Sequence, residues 1–503
     1  MVLQKIDFNF VKCFRHVCVK TSKSRDNRSF QRLYTALPRL TPQEVTNVLQ
    51  ANEYTKEFSG LSSVKYYDSN QLASNNPIED TRAEAQCLLT KGSNICRFVS
   101  DSCYYKYIIT SYVSNFLFIG VLLGVFDGHG GGACAQVVSK RLFRYISAGL
   151  LPPKLLQQYL NSIGSDKKLE LLQTYNDKVE FVAEIRDLYQ ESFLNFVRDL
   201  IQSGDRKEFQ MEKALENAFL RLDNDLSNEA LSQLNKKDAR TLAVAMSGTV
   251  AVVAHIDGPH LHVAGVGDCK AVLGVLSEND GWSAKIMTVE HNTDNRTEVE
   301  RIMSEHPLNE KSTVIKMERL LGQLAPLRSL GDFRYKWKKD VIKKIVPIFG
   351  KTAIPPNYHT PPYLTANPDV KYHRLTPRDK FLIIASDGLW ELISPLQAVR
   401  LVGEHMSGKV TLSPLRLPRK NMKLFDINEM LLQRKEGLKK KPLDNNAATH
   451  LLRNALGGTE YGIDHVKLSQ LLTLPSEVVR IFRDDITITV VYMDSEFLRH
   501  CPP

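Results

Sequence analysis

The sequence predicts an α+β fold in which apolar strands end on aspartates and long helical stretches lie between them. Three observations carry this reading. The run Val121 to Phe126 is apolar and stops at Asp127-Gly-His-Gly-Gly131, the pattern of a buried strand that meets a sharp turn. Phe381-Leu-Ile-Ile-Ala385 repeats the design ahead of Asp387-Gly388. Between these two strands, Ala133 to Leu151 and residues 154–235 carry apolar residues at helical spacing.

Composition sets the outer bounds. The chain of 503 residues is 43% hydrophobic and 24% charged, enough apolar residue for a sizeable core. Part of the net charge of +10 gathers in the first stretch, so it is no sign of nucleic-acid binding. The 8 cysteines are scattered and lack zinc spacing, which argues for a reducing compartment.

Residues 1–35 hold eight Lys and Arg against Asp7 and Asp26, with Val2, Leu3, Ile6, Phe10, Val11, Phe14 and Val17 on one helical face. That is the composition of a mitochondrial transit peptide; a disordered basic tail has the same charge. A catalytic domain is expected over residues 41–495. Thr41-Pro-Gln-Glu44 opens it with capping-box spacing and a helix to about residue 54. A polar loop then ends in paired acids, Glu79 and Asp80.

Residues 93–120 form an apolar insertion at what reads as a hairpin tip between Ala85-Gln-Cys-Leu-Leu-Thr-Lys-Gly92 and Val121-Leu-Leu-Gly-Val-Phe126. Loops are normally polar there. Two origins fit the stretch: translation of a retained intron, or a genuine loop that serves as a docking surface. Tyr107 to Phe126 has the length of a bilayer span. It is not read as one, because it carries Thr110, Ser111, Ser114 and Asn115 and runs straight into Asp127.

Farther on, Ser247 to His255 and Leu261 to Leu273 read as strands around an Asp257-Gly258 turn, with Asp268 in a Gly-Val-Gly-Asp turn. Glu290 to Arg296 opens a helix, and Pro355 to Pro362 is a stiff Pro-rich loop. Residues 408–445 are a basic, exposed insertion with Lys439, Lys440 and Lys441 in a row. Arg483-Asp-Asp-Ile-Thr-Ile-Thr-Val-Val-Tyr492 is the last strand, with Asp484 and Asp485 at its start.

Asp127, Asp387 and Asp484 thus stand at strand ends. Buried carboxylates gather only where a cation neutralises them. Oxygen ligands select Mg2+ or Mn2+. Two such ions ionise a water and clamp a phosphate. His129, two residues past the first ligand, is placed to protonate a leaving alkoxide.

The motifs Glu79-Asp80, Asp127-Gly-His-Gly-Gly131, Ser247-Gly-Thr249, Gly267-Asp268, Ser329-Leu-Gly-Asp332, Asp387-Gly-Leu-Trp390 and Asp484-Asp-Ile-Thr487 occur in this order. In them the sequence resembles the metal-dependent Ser/Thr protein phosphatases of type 2C. Within that family it is similar to the branch of pyruvate dehydrogenase phosphatase catalytic subunits, on Ser69-Asn-Gln-Leu72, Pro355 to Thr365 and Asn446 to Ala455. The resemblance implies an antiparallel β-sandwich flanked by helices on both sides, with metals in a cleft at one edge. It implies a catalytic pair, Asp127 and His129, and two Mg2+ or Mn2+ ions. Asp127 would bridge both metals, the Gly128 carbonyl would hold one, and Asp387 and Asp484 the other. Glu79 and Asp80 would orient waters on the metals, while Asp268 and Glu391 would serve a weaker third metal. Glu391 stands where many relatives have Asp. Asn75 stands where the wider family has a phosphate-binding Arg, which shifts phosphate binding onto the metals.

The resemblance further implies a mitochondrial matrix enzyme that acts on the phosphorylated pyruvate dehydrogenase complex. Its partners would be the lipoyl domain of the acyltransferase core and a regulatory subunit, with no nucleic acid and no membrane span. Two other readings stay open on the sequence: a phosphatase for another mitochondrial phosphoprotein, and a catalytically silent docking protein on the same fold.

Overall fold

The computed structural model describes residues 39–58, 62–90, 112–113, 116–164, 169–204, 209–234, 239–279, 281–418 and 422–501. The expected transit peptide, residues 1–35, lies outside them, as do residues 93–111 and 114–115 of the apolar insertion.

Alternation along the strands builds two sheets. One has six strands in the order Tyr54–Glu57, Val64–Leu72, Ile486–Met493, Asp379–Ala385, Lys270–Leu276 and Trp282–Ile286. The other runs Asp369–Arg374, His260–Val266, Gly248–Asp257, Phe116–His129, Thr81–Thr90 and Leu172–Tyr175, with Leu330–Gly331 and Tyr112–Val113 added at the side. All named pairings are antiparallel. Successive side chains of a strand point to opposite faces. Val121, Leu123 and Val125 therefore face Leu273, Leu382, Ile384 and Val491 of the other sheet in one core. Leu122 and Phe126 face outward and pack under the helices Ala133–Leu150, Ala183–Gln202 and Met211–Gln233. On the far side, Ile383, Ile488 and Val490 pack under Pro42–Gln50, Pro395–Met406 and Ala447–Gly457. The result is the expected β-sandwich with helices on both sides.

The structure differs from the sequence reading in three places. The strand expected over Val121–Phe126 continues at both ends, from Phe116 to His129, because Asp127, Gly128 and His129 pair with Val250, Thr249 and Gly248. Phe116, Leu117 and Phe118 pair with Thr90, Leu89 and Leu88, so the end of the apolar insertion is strand. Residues 154–235 are not helical throughout: Leu172–Tyr175 is a short edge strand on Thr81–Thr90. Its Leu-Gln-Thr-Tyr sequence suits a sheet edge better than a helix. The expected basic insertion holds a helix, Leu424–Leu438, that leaves Leu424 and Phe425 exposed. Among the described residues no helix is long and apolar enough to cross a membrane.

Candidate active site

The site forms at one edge of the sandwich, where Phe116–His129 ends and Asp379–Ala385 turns into the short helix Asp387–Trp390. Two glycines make the close approaches there. A Cβ on Gly128 would lie 2.3 Å from the Glu79 carbonyl oxygen, and one on Gly248 would lie 2.1 Å from Asp332 Oδ2 and 2.3 Å from His129 Nε2. Glycine at these positions lets the acid-bearing segments meet.

Burial and mutual repulsion tie four aspartates together. Burial, then Asp80, Asp387 and Asp268, pushes the Asp127 carboxyl well above the usual carboxylate range. Asp80 is pushed up to about 7, by burial first and Asp485 next. Asp268 also rises to about 7, through burial and Asp387. Glu391, farther out, is raised by burial and then by Asp387. Asp80 Oδ2 and Asp387 Oδ1 are buried and have no hydrogen-bond partner among the described residues. Buried oxygens in this condition are costly unless a cation meets them. The donors are all hard oxygens, so the residues fit Mg2+ or Mn2+. Among the described residues no three His, Cys, Asp or Glu side chains form a ready cage around one ion. Mg2+ does not need one, since it keeps several waters and takes one or two carboxylates.

Asp484 stands apart from this group. Its side chain is 33% exposed and pairs with Arg480 at the rim. Neighbouring residues of an extended chain point opposite ways, so Asp485 takes the inner place and is buried. Asp485 accepts hydrogen bonds from Ser74 N at 2.5 Å, Asn75 N at 2.8 Å, Asn75 Nδ2 at 2.9 Å and Glu79 N at 2.9 Å. It fastens the loop that delivers Glu79 and Asp80. Asn75 is thereby a structural residue of that loop. Glu79 Oε1 accepts from Gly131 N at 3.0 Å, which holds it over the turn after His129.

His129 has a partner that sequence reasoning named only as part of a motif. Its Nε2 lies 2.5 Å from Asp332 Oδ2, and that oxygen also accepts from Ser329 Oγ at 2.7 Å. Burial works against the imidazolium, but Asp332, followed by Asp268 and Glu79, outweighs it and raises the His129 pKa. Burial likewise opposes the Asp332 charge, yet His129, Ser329 and Lys336 bring its pKa below the usual value. Both shifts favour a protonated imidazole on an ionised carboxylate. The His129 side chain is 22% exposed and that of Asp332 is 4% exposed, so a substrate reaches the histidine alone. Lys336 Nζ in turn sits 2.9 Å from both Asp223 oxygens, and Asp223 accepts from Gly331 N at 2.9 Å. Gly331 and Gly248, flanking the pair, were the available sequence signal for Asp332. The missing information was the 203-residue separation that folding closes.

Sequence comparison agrees with this geometry. The family model for protein phosphatase 2C matches residues 147–424, a range that includes Asp268, Asp332 and Asp387. The mitochondrial [pyruvate dehydrogenase [acetyl-transferring]]-phosphatase 1 of Rattus norvegicus is 42% identical over 489 residues, covering 92% of this chain and 85% of the relative. The corresponding phosphatase 2 of Homo sapiens is 38% identical, over 97% of this chain and 88% of the relative. Phosphatase 1 of Saccharomyces cerevisiae is 30% identical, over 85% and 68%. The chain belongs to the protein phosphatase 2C family.

Proposed function

We propose that this chain is a mitochondrial, metal-dependent protein serine/threonine phosphatase that dephosphorylates the decarboxylase subunit of the pyruvate dehydrogenase complex and so activates it. The observation that carries the reading is the set of closely gathered, mutually repelling carboxylates, with Asp80 fully buried, beside a His129–Asp332 pair. The similarity to the rat and human mitochondrial phosphatases supports the substrate and the compartment.

Two Mg2+ or Mn2+ ions, when bound, supply an ionised water and a clamp for in-line attack at phosphorus. Asp127 and the Gly128 carbonyl would hold one ion, and Asp127 with Asp387 and Asp484 the other. To do so, Asp484 would have to give up its pairing with Arg480. Glu79 and Asp80 would orient surrounding waters, and Asp268 with Glu391 would serve a weaker third ion. His129, whose Nε2 is held by Asp332, would donate the proton of its other ring nitrogen, Nδ1, to the serine or threonine oxygen as the P–O bond breaks. Asp332 fixes the ring and stabilises its charged form. With both the carboxylates and this acid in place, the chain carries what turnover needs, which favours an enzyme over a silent docking protein. Residues 1–35 would direct the chain to the matrix, where the lipoyl domain of the acyltransferase core and a regulatory subunit are the expected partners.

The test is dephosphorylation of phosphorylated pyruvate dehydrogenase complex by the purified chain. Phosphate release with Mg2+ or Mn2+ and none in chelator is expected. Equal or greater turnover on a different phosphorylated matrix complex would redirect the substrate assignment.

A further inference from the structure

A cleft of 540 Å3 is lined by Gln323, Arg334, Tyr335, Thr352, Ile354 and Pro356, two of them on the turn that follows Asp332. None of the six is acidic. Arg334 forms its polar end: Nη2 donates to Gln323 Oε1 at 2.8 Å and to the Thr352 carbonyl at 3.0 Å. Nη1 takes part in neither bond, and Nε is buried without a hydrogen-bond partner among the described residues. A guanidinium held this way has donor capacity left over. Arg319 adds a second positive charge nearby, with Nη1 on the Gln323 carbonyl at 2.9 Å. The remaining wall is apolar, made by Ile354, Pro356 and the Tyr335 ring.

The wall is also fixed in place. Tyr358 Oη donates to the Trp337 carbonyl at 2.5 Å, and Tyr363 N donates to the Tyr335 carbonyl at 2.9 Å. Tyr363 Oη accepts from the backbone N–H groups of His359 at 2.8 Å and Thr360 at 2.9 Å. These bonds pin the Pro-rich loop to the turn Phe333–Tyr335, the same turn that follows Asp332. Arg334 is two residues from Asp332, so their Cα atoms lie within roughly 7 Å of each other. An extended polypeptide advances about 3.3 Å per residue. A substrate with its phosphoserine at His129 thus has the turn that carries Arg334 within a few residues' reach.

We infer that this cleft binds an acidic side chain of the substrate polypeptide near the phosphorylated residue, with the carboxylate or second phosphate on Arg334 and the stem along Ile354, Pro356 and Tyr335. The inference rests on the phosphatase reading above. The cleft then selects sequence context, a task separate from the chemistry at the metals.

The experiment uses the full chain with Mn2+ and two phosphoserine peptides that differ only in Glu or Gln at the flanking positions. The wild-type protein is expected to favour the Glu peptide about tenfold in kcat/KM, through KM, as a charge-assisted hydrogen bond would. Arg334→Gln should bring the ratio to about one; any general loss from its closeness to Asp332 cancels in the ratio. Thr352→Glu, on an exposed wall position, should reverse the preference. No preference in the wild-type protein, or a preference that survives in Arg334→Gln, overturns the inference. A second arm measures, in chelator, binding of the unphosphorylated Glu peptide and of inorganic phosphate. Arg334-dependent binding of the peptide supports the inference. Arg334-dependent binding of inorganic phosphate without the peptide overturns it in favour of a free small anion. Failure of the wild-type protein to hydrolyse either peptide counts against the phosphatase reading, and the binding arm still decides the cleft.

Discussion

Glu229 is a buried carboxylate and Asp127 a partly buried one, and their surroundings are opposite. Glu229 receives both ends of one guanidinium, with Arg141 Nη1 at 2.8 Å and Nη2 at 2.6 Å. Asp444 is held in the same way by Arg453, with two contacts of 2.7 Å, and Glu298 by Arg328 at 2.8 and 2.9 Å. Asp127 instead faces Asp80, Asp387 and Asp268. In these three cases the chain gives a buried acid an arginine; around Asp127 it places other acids instead. On the proposed reading, that contrast separates the stabilising acids from those that would hold an exchangeable cation.

Asp127→Asn gives the largest expected effect. Phosphatase activity should fall by about 1,000-fold or more if, as proposed, Asp127 is a ligand shared by both ions. In chelator the same variant should melt at or above the wild-type temperature, since a repelled carboxyl has been removed. A melt many degrees lower would place Asp127 with the structural acids.

Arg141→Met should behave in the reverse manner. It leaves Glu229 buried and unpaired, at a cost of about 3–5 kcal/mol. The loss should be the same with and without Mn2+ in a denaturant titration. A loss that disappears in Mn2+ would show that the two kinds of acid are not independent.

His129→Ala sharpens the comparison inside the site. Hydrolysis of a phosphoserine peptide should drop about 100-fold. An activated aryl phosphate should lose less, because its leaving group needs no proton. Equal losses on both substrates would remove His129 from the acid role.

The smallest effect concerns Glu298. Burial opposes its charge, but Arg328 and Arg301 bring its pKa down to about 2 from 4.5. A lowered folded-state pKa contributes stability above the unfolded value and loses it as pH falls through the folded one. Glu298→Gln should therefore be less stable than wild type at pH 6, with the gap closing between pH 4.5 and about 2. A gap that stays constant across that window would contradict the assignment.

The same contrast explains what was legible beforehand. The apolar runs Val121–Phe126 and Phe381–Ala385 were enough to place Asp127 and Asp387 at strand ends, and the resemblance to the type 2C phosphatases supplied the sandwich and its edge. Capping spacing at Thr41 and Glu44 was enough for the first helix, and both capping bonds are present. Which of two adjacent aspartates turns inward was not legible. Asp484 carries the expected ligand role, yet Asp485 is the buried member that anchors Ser74, Asn75 and Glu79. Nor was the partner of His129, because Asp332 reaches it only through the Gly248 and Gly331 backbones packing together. The Leu172–Tyr175 strand was read as helix, since four residues with no turn signal give no period to read. In each case the deciding contact is distant in sequence, and local pattern holds no record of it.

The most direct measurement is the thermal melting of wild-type protein and Asp387→Asn with and without Mn2+. A cation that binds only the folded state raises its melting temperature with concentration. The wild-type protein is expected to rise steadily as Mn2+ is added, and Asp387→Asn to stay near its metal-free value. Equal Mn2+ stabilisation of both proteins would contradict the claim that these unpaired buried acids hold the metals.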